Sequence, residues 1–301
     1  MAGDEATVAE IDGVRVRLTN LDKVLYPSTG FSKAEVIDYY ARVAPYMVPH
    51  LRGRPLTFKR FPNGVDAPGF FEKNCPGHRP RWMKVMTGPG DVKSCCIDGP
   101  AGLVWAGNQA ALEIHVPMAL GSDLDTPTIL AFDLDPGEPA DISDCCEVAL
   151  WVREVLATVG LDGFPKTSGS KGMQIYVPLN TAVTHEHASS FALAVGQVLT
   201  RQHPDRVLVD MTRARRPGKV FVDWSQNNAH KTTIGAYSLR ARPRPTVSTP
   251  LSWDEVEAVA GDGDGDRLVF ETHDVLDRVE RHGDLFADVL TRTQRLPTPA
   301  G

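Results

Sequence analysis

The chain has 301 residues, and its 32 Lys and Arg against 38 Asp and Glu give a formal net charge of −6. Hydrophobic residues make up 42% and charged residues 23%, which excludes a disordered, collagenous or membrane-spanning chain. The length suffices for about two domains or one large unit of two lobes. The start is acidic and lacks the basic-then-apolar pattern of a secretory signal, so we expect a cytosolic protein.

The first half predicts short strands around one clear helix. Val14 to Leu18 alternates apolar and basic residues, as a half-buried strand does. Ser32 and Glu35 have the spacing of a capping box, which predicts an amphipathic helix that ends near Pro49. The segment from Val104 to Val116 is predicted to be helical in part.

Strands and helices alternate in the predicted second half. The apolar run from Ile129 to Asp135 predicts a strand that ends at the turn Pro136-Gly137. The other predicted elements are a helix from Cys145 to Val159, a strand from Met173 to Val177, a helix from about His185 to Gln202, strands from Val207 to Met211 and from Val220 to Trp224, and a final helix near Val275 to Leu290. This order indicates an α/β (α+β) fold with helices packed on a mixed sheet.

Five cysteines, Cys75, Cys95, Cys96, Cys145 and Cys146, are odd in number and include two adjacent pairs. This usage favours reduced thiols over a disulfide framework. His78 with the first three could in principle hold zinc. The spacing lacks a second clean pair of ligands, so core cysteines are the favoured interpretation.

Two carboxylates interrupt an apolar strand. Asp133 and Asp135 are two apart, so their side chains lie on the same face and can share a hard cation. Asp223 ends a second apolar strand in the same way, and the three acids together suit one or two Mg²⁺ or Mn²⁺ ions. The alternative is that Asp135 only caps the turn and Asp133 lies at a solvent edge.

The stretch from Lys166 to Gly172 offers two serine hydroxyls, flexible amides and a second lysine just before a strand. Such a loop can bind phosphate oxygens through its backbone N–H groups. It is not a Walker A sequence, and a hairpin loop without a ligand is an equally good interpretation.

Charge is unevenly distributed along the chain. The balance of Lys and Arg over Asp and Glu is +6 for residues 50–93, +7 for residues 201–244 and −9 for residues 251–290. Aromatic residues interleave the first stretch, as in surfaces that bind single-stranded or gapped nucleic acid. Either basic stretch alone could equally be a solvated charged face.

Seven strings, in chain order, resemble the polymerase domain of bacterial ligase D, a branch of the archaeo-eukaryotic primase superfamily. They are LTNLDKVLYPSTG, RPLTFKRFPNGVDAPGFFEKN, AALEIHVP, FDLDPG, TSGSKG, GKVFVDWSQN and KTTIGAYSLRARPRPTVSTP. The resemblance runs from about Leu18 to Trp253. It implies a primase-polymerase fold of two mixed sheets with flanking helices, whose catalytic half is built on an RRM-like sheet.

The resemblance also implies roles for individual residues. Asp133, Asp135 and Asp223 match the three metal-binding carboxylates of a site for two Mn²⁺ or Mg²⁺ ions. The positions implied to bind the nucleotide are His115, Ser168, Gly169, Ser170, Lys171, Gln174, Arg216, Gln226 and Arg240. Those implied to bind DNA are a 5′-phosphate pocket of Asn20, Lys23 and Lys33 and the template-contacting residues Lys59, Arg60, Phe70, Phe71 and Lys73.

One position departs from the family pattern. The family usually reads SGSKGxH, and here Gln174 takes the place of the histidine. Glutamine can donate a hydrogen bond but carries neither charge nor proton at neutral pH. We therefore expect metal binding to survive and nucleotide affinity or turnover to be reduced or retuned.

These features predict a metal-dependent, template-directed polymerase, or primase, that fills short gaps in broken DNA with ribonucleotides preferred. A catalytically weakened module that binds and aligns DNA ends is one rival, and a two-metal nuclease or phosphoesterase is another. Gapped or broken DNA with a 5′-phosphate and NTP or dNTP substrates are the expected partners, with Ku and a separate ATP-dependent ligase implied by resemblance alone. No membrane is expected, and the location would be the bacterial cytoplasm, at the nucleoid.

The predicted organisation is a single primase-polymerase domain over residues 1–301. Its parts are a DNA-binding lobe over about 1–125, a catalytic lobe over about 126–250 and an acidic helical tail over 251–301. Because no ligase-type KxDG lysine motif follows, a stand-alone member of the family is expected.

Overall fold

The computed structural model describes residues 7–297. The first six residues of the acidic leader and the last four of the predicted tail lie outside the described residues. Within the described part, the helices are α1 Lys33–Leu51, α2 Pro100–Asn108, α3 Ile142–Thr158, α4 His185–Gln202, α5 Trp253–Asp262, α6 Thr272–His282 and α7 Ala287–Thr291. None of these helices is long and apolar enough to cross a membrane.

Most strands are short. In chain order they are β1 Thr7–Ile11, β2 Val14–Leu18, β3 Val24–Tyr26, β4 Phe31–Ser32, β5 Thr57–Arg60, β6 Phe70–Glu72, β7 Lys84–Thr87, β8 Lys93–Cys96, β9 Ala111–Pro117, β10 Ala119–Leu120, β11 Asp123–Pro127, β12 Ile129–Pro136, β13 Phe164–Thr167, β14 Met173–Pro178, β15 Val207–Leu208, β16 Val220–Asp223 and β17 Thr232–Ile234.

The described residues divide into two compact units, and neither is a continuous stretch of chain. The first unit contains residues 7–117, 234–248 and 271–283, and the second contains residues 118–233, 249–270 and 284–297. The sequence predicts consecutive parts instead. Residues 234–248 were predicted in the catalytic lobe and residues 271–283 in the tail. Both segments belong to the first unit.

The second unit is built on a five-stranded sheet of order β13-β14-β12-β16-β15. Its described pairs are antiparallel except β15 with β16, so the predicted mixed sheet is confirmed. Helices α3 and α4 pack on it, and their apolar sides join Leu130, Phe132 and Leu134 of β12 in one buried cluster. Because the even positions of β12 are buried there, the odd positions Asp133 and Asp135 lie on the opposite face.

A four-stranded sheet of order β17-β9-β5-β6 organises the first unit. Helix α1 begins at the predicted capping box, where the Ser32 hydroxyl accepts from the Glu35 N–H and the Glu35 carboxylate accepts from the Ser32 N–H. The helix continues two residues past Pro49. Tyr40 on its buried face donates to backbone carbonyls at the start of β9, which fixes the helix to that strand.

Three predicted elements differ from the structure. The helix α2 ends at Asn108 and strand β9 takes over, because Ala110 adopts a left-handed conformation that stops the helix. The predicted final helix is two helices, α6 and α7, separated at Gly283, which also has a positive φ. Strand β15 ends at Leu208 instead of Met211, since Asp210 accepts the Thr212 N–H in a turn.

The cysteine prediction is also corrected. Cys75 and Cys95 are joined in a disulfide, which excludes the zinc site that the sequence left open for these thiols. The pairing could not be inferred from spacing, because it depends on strand β8 lying beside the loop after β6. Cys96, Cys145 and Cys146 are free and buried, as core cysteines are.

Candidate active site

Three neighbouring strands place acids and an amide side by side. Asp133 in the middle of β12 is the register partner of Asp223 on β16 and of Gln174 on β14. Asp135, two residues later on β12, is exposed on the same face. The structure thus brings together the three acids predicted from sequence, and it excludes the interpretation of Asp133 as a residue at an open edge, because β12 is an inner strand.

Two glutamine amides hold the carboxylates in place. The Gln174 Nε2 donates to Asp133 Oδ1 at 3.0 Å and to the Thr233 hydroxyl at 2.5 Å. The Gln226 Nε2 lies 3.2 Å from Asp133 Oδ2 and 3.4 Å from Asp223 Oδ2, so it bridges the two acids. Both predicted nucleotide-binding glutamines therefore contact the acid cluster directly in this structure.

The charges of the acids are incompletely balanced. Burial, and next the nearby Asp135 carboxylate, raise the pKa of Asp133 to about 7. Lys166, fully buried at the end of β13, lowers that pKa but does not outweigh these effects. Clustered carboxylates whose repulsion is unrelieved are what an added cation would stabilise.

The donor set fits a divalent cation in its chemistry. Carboxylate oxygens are the ligands that Mg²⁺ and Mn²⁺ prefer. Among residues 7–297, no three His, Cys, Asp or Glu side chains are already arranged closely enough to surround a metal. The Gln226 amide instead occupies the space between two of the acids.

Asp223 has a second set of contacts that orient it. Its Oδ1 accepts from the Ser225 N–H at 2.9 Å and from the Ser225 hydroxyl at 2.5 Å. The Lys231 ammonium donates to that same hydroxyl and lies 3.9 Å from Asp223 Oδ2. These contacts hold Asp223 Oδ1 in the turn, while Oδ2 is bridged to Asp133 by the Gln226 amide.

The predicted phosphate-binding loop is a tight hairpin between β13 and β14. Ser168 accepts from the N–H groups of Ser170 and Gly172, each at 3.3 Å, and Gly169 has a positive φ of 69°. The Lys171 ammonium is exposed and pairs with Glu138. Both interpretations left open by the sequence agree with this shape, because a hairpin can also present amides to a phosphate.

Two motif glycines are required by close backbone contact. A Cβ at Gly172 would lie 2.1 Å from the Leu134 carbonyl oxygen, and one at Gly137 would lie 2.2 Å from that of Arg216. Gly137 also donates to the Lys219 carbonyl, so the DPG turn is fastened to the loop that carries Arg216. The Arg216 guanidinium stacks on the Phe221 ring at 3.8 Å, which holds this predicted nucleotide-binding residue beside β16.

His115 and Arg240 lie together in the first unit. Their shared contact is Glu113, whose carboxylate is 3.0 Å from His115 Nε2 and 3.2 Å from Arg240 Nε. Lys59 on the adjacent strand approaches the same carboxylate at 3.8 Å. A predicted template-contacting residue and two predicted nucleotide-binding residues thus form one cluster.

The edge strand β6 presents the predicted template-binding surface. Phe70 and Phe71 are 46% and 57% exposed, an unusual exposure for aromatic rings. Lys59 lies 5.5 Å from the Phe71 ring centre, and Arg60 lies 5.4 Å from that of Phe70. Exposed rings with cations beside them are suited to stack bases and contact phosphates, and Lys73 is exposed just after this strand.

The predicted 5′-phosphate pocket combines the loop before β3 with the first residue of α1. Lys33 is buried and donates to the Thr19 carbonyl at 2.7 Å, and its N–H donates to the Lys23 carbonyl. Asn20 is exposed with a positive φ of 52°, and the exposed Lys23 donates to Asn63. The loop meets the N-terminus of a 19-residue helix, which favours anions.

Sequence reasoning missed three residues of these sites: Glu113, Lys166 and Thr233. Glu113 stands two residues before His115 on a strand, so alternation could have placed both on one face. Lys166 was noted only as the start of a loop, although it is fully buried. Nothing in the sequence around Thr233 indicates its contact with Gln174.

Comparisons with known proteins identify the family of this chain. A sequence profile for the LigD primase-polymerase domain matches residues 32–286. The LigD protein of Mycolicibacterium smegmatis is 47% identical over 91% of this chain, and that of Mycobacterium tuberculosis is 46% identical over 94%. The solved polymerase domain of M. tuberculosis ligase D in complex with DNA superposes with a TM-score of 0.85 at 44% identity, covering 93% of this chain and 99% of that one.

The chain spans 36% and 39% of the length of those two curated LigD proteins. The predicted mixed α/β fold, the resemblance and the class of enzyme are confirmed at the level of the family, which is one of metal-dependent polymerases. The roles of individual residues stay predictions. The chain belongs to the LigD primase-polymerase domain family.

Proposed function

We propose that this protein is a metal-dependent, template-directed nucleotidyltransferase that fills short gaps at broken DNA ends. The observation that carries the proposal is the row of Gln174, Asp133 and Asp223 across three strands, where the pKa of Asp133 is raised to about 7 by burial and by Asp135. A row of acids with incomplete neutralisation is suited to bind divalent cations.

The reaction joins the 3′-oxygen of a primer to the α-phosphorus of a nucleoside triphosphate. The bond from that phosphorus to the pyrophosphate oxygen breaks, pyrophosphate leaves, and the hydroxyl proton passes to solvent. Two Mn²⁺ or Mg²⁺ ions, when bound, would stabilise the charge on the attacking and leaving oxygens. Asp133 and Asp223, with Asp135, would hold them, and the Gln174 and Gln226 amides would orient the carboxylates.

The other predicted residues would position the substrates. The 168–172 loop and Arg216 lie in the same unit as the acids and would bind the triphosphate. In the first unit, the exposed rings of β6 would stack template bases, and Asn20, Lys23 and Lys33 would bind a 5′-phosphate at the helix N-terminus.

The relatives named LigD are described as non-homologous end joining proteins, which supports a role in the repair of broken DNA. A bacterial end-joining pathway would supply Ku and an ATP-dependent ligase as partners at the nucleoid. Ribonucleotides as preferred substrates would follow from the same family membership.

The experiment that tests the proposal is primer extension on a gapped duplex with a 5′-phosphate, NTPs and Mn²⁺. Asp133→Asn keeps the size of the side chain but removes its charge, so we expect extension to fall by at least about a hundredfold. Asp125→Asn, an exposed acid of the same unit, is the matched control and should extend like the wild type. Equal activity of both variants would contradict the metal assignment.

The same assay tests the nucleotide preference and the rival function. Faster incorporation of NTPs than of dNTPs is expected. Because Gln174 stands at the family's histidine position, a DNA-end binding module with weakened catalysis is the second candidate. Tight binding of gapped DNA without incorporation under any divalent metal would favour that module over the polymerase.

A further inference from the structure

Glu113 is a buried acid in the first unit to which the proposed reaction assigns no role. It lies in the middle of β9, and its residue is 2% exposed. A carboxylate removed from water costs several kcal/mol unless it is paired and hydrogen-bonded. Its contacts therefore explain why an acid is present at this place.

Both oxygens of Glu113 are occupied. Oε1 accepts from Arg240 Nε and from the Ala241 N–H, each at 3.2 Å. Oε2 accepts from His115 Nε2 at 3.0 Å and lies 3.8 Å from the Lys59 ammonium. One carboxylate thus joins side chains from β5, from β9 and from the segment after β17.

The four side chains of this cluster differ in how exposed they are to solvent. The side chain of Glu113 is 3% exposed, whereas those of Lys59, Arg240 and His115 are 29%, 19% and 14% exposed. The anion is therefore beneath and the cations are above it. A phosphate or triphosphate that approaches this surface meets the basic side chains first, and two basic side chains, Lys59 and Arg240, face the single carboxylate.

The contacts within the cluster shift the pKa values of Glu113 and His115. Burial raises the pKa of Glu113, but the His115 hydrogen bond and the Arg240 charge outweigh it and lower the pKa to about 2. Burial lowers the pKa of His115, and the Glu113 hydrogen bond offsets part of this effect. At neutral pH Glu113 is ionised, and its carboxylate pairs with Arg240 and lies near Lys59.

Ring contacts also restrict Lys59 and His115 of this cluster. The Lys59 ammonium lies 5.3 Å from the Phe61 ring centre and 5.5 Å from that of Phe71, and Phe71 meets the His115 ring edge-on at 5.6 Å. Glu113 below and aromatic rings beside them leave these groups few rotamers. Such preorganisation lowers the entropy lost on binding.

We propose that Glu113 is a positioning residue. It holds Arg240, His115 and Lys59 in the arrangement that binds the polyanionic substrates, a nucleoside triphosphate and DNA. The inference rests on the proposed function, because that function supplies the substrate. Glu113 itself does not touch the substrate. Its loss therefore changes substrate affinity and leaves the acid cluster of the second unit intact.

The test compares Glu113→Gln with Tyr40→Phe. The first keeps the shape and one acceptor but removes the charge that holds the cations. The second removes hydrogen bonds from α1 to the Ala111 and Leu112 carbonyls, so it loosens the same strand while all four side chains of the cluster are kept. Both are measured by steady-state primer extension with ATP, Mn²⁺ and a 5′-phosphorylated gapped duplex, together with thermal denaturation.

For Glu113→Gln we expect the KM for ATP to rise about tenfold or more, with kcat changed much less. Tyr40→Phe should lower Tm without raising KM. Binding of Mn²⁺ in the absence of nucleotide, followed by electron paramagnetic resonance, should be the same in all three proteins. An unchanged KM in Glu113→Gln, or an equal rise in both variants, would show a merely structural role and overturn the proposal.

If the wild type extends no primer, the proposed function is wrong, but the role of Glu113 can still be tested by binding measurements. Binding of Mn²⁺-ATP by calorimetry and of the gapped duplex by fluorescence anisotropy then replace KM. Weaker binding by at least about fivefold in Glu113→Gln alone supports the positioning role. Unaltered binding of both ligands rejects it.

Discussion

Two carboxylates, one in each unit, occupy equivalent places and have opposite surroundings. Glu113 and Asp133 each lie on an inner strand, and each has a second polar residue two positions later on the same face. The cross-strand partner of Glu113 is Lys59, and that of Asp133 is Asp223. The pKa values accordingly diverge, to about 2 for Glu113 and to about 7 for Asp133.

The comparison teaches that burial alone does not decide what a carboxylate does. Burial raises the pKa at both places, and the sign of the neighbouring charges decides the result. Around Glu113 the chain supplies its own cations, so the cluster is electrostatically complete. Around Asp133 the chain supplies more acids and two amides, and the charges of Lys166 and Lys231 offset the acids only in part, so a bound cation would add the missing positive charge.

The largest expected effect comes from removing the charge of Glu113, which is paired with cations of the chain. Because the pKa of Glu113 falls from an ordinary 4.5 to about 2, its ionisation contributes on the order of 3 kcal/mol to the free energy of unfolding at neutral pH. A lowered pKa stabilises the fold above pH 4.5 and ceases to do so as the pH falls toward 2. Glu113→Gln should therefore be less stable than the wild type at pH 7, with the gap narrowing below pH 4.5. Urea denaturation from pH 7 to pH 3 measures it, and a constant gap would contradict the assignment.

The second prediction concerns the addition of a divalent cation to the acid cluster. Mn²⁺ at a hundredfold excess over its dissociation constant should stabilise the wild type by about 2.7 kcal/mol. Asp223→Asn keeps an oxygen that can accept the Ser225 N–H but removes one repelling charge. Without metal its Tm should equal or exceed that of the wild type, and the increase with Mn²⁺ should disappear. A Tm that falls without metal would mean that the acids are not in conflict.

The third prediction concerns the amide on Asp133. Burial raises the pKa of this acid, and the Gln174 hydrogen bond opposes the rise. Gln174→Leu should raise the pKa further, so that more Asp133 is protonated at pH 7 and Mn²⁺ binds about threefold to tenfold more weakly. At pH 9 both proteins carry the charge, and the difference should shrink. Thr233→Val, which removes only the second contact of the amide, should show a smaller effect.

The smallest expected effect lies in the loop before α1. Lys23→Ala removes an exposed ammonium, so binding to a gapped duplex with a 5′-phosphate should weaken by about twofold to threefold relative to the same duplex without it. Lys93→Ala, another exposed lysine of the first unit, should leave that ratio unchanged. Equal weakening on both duplexes in Lys23→Ala would argue against the pocket.

Local patterns predicted elements in both units. The capping box at Ser32, the strand that contains Asp133 and the helix from His185 to Gln202 all depend on neighbours within a few residues, and the structure places them as predicted. Strand β13 was not predicted as an element, since Pro165 and Lys166 interrupt its apolar pattern.

Long-range partners explain the rest. The contact of Glu113 with Arg240 joins residues 127 positions apart, and that of Gln174 with Thr233 joins residues 59 apart. Neither can be read from spacing, because it depends on which strands become neighbours. The acids were recognisable because Asp133 and Asp135 interrupt an apolar strand. Glu113 interrupts an apolar strand too, but its cationic partners Lys59 and Arg240 are distant in sequence and leave no local signal.

The interleaved construction of the two units has a consequence for how the chain is made. The path passes from one unit to the other after residues 117, 233, 248, 270 and 283, so neither unit is complete when the first half has left the ribosome. The acid strand β12 is synthesised long before β16, and Glu113 long before Arg240. A chain interrupted near residue 230 would contain the three acids but would lack Thr233, which contacts Gln174, and Arg240, which pairs with Glu113.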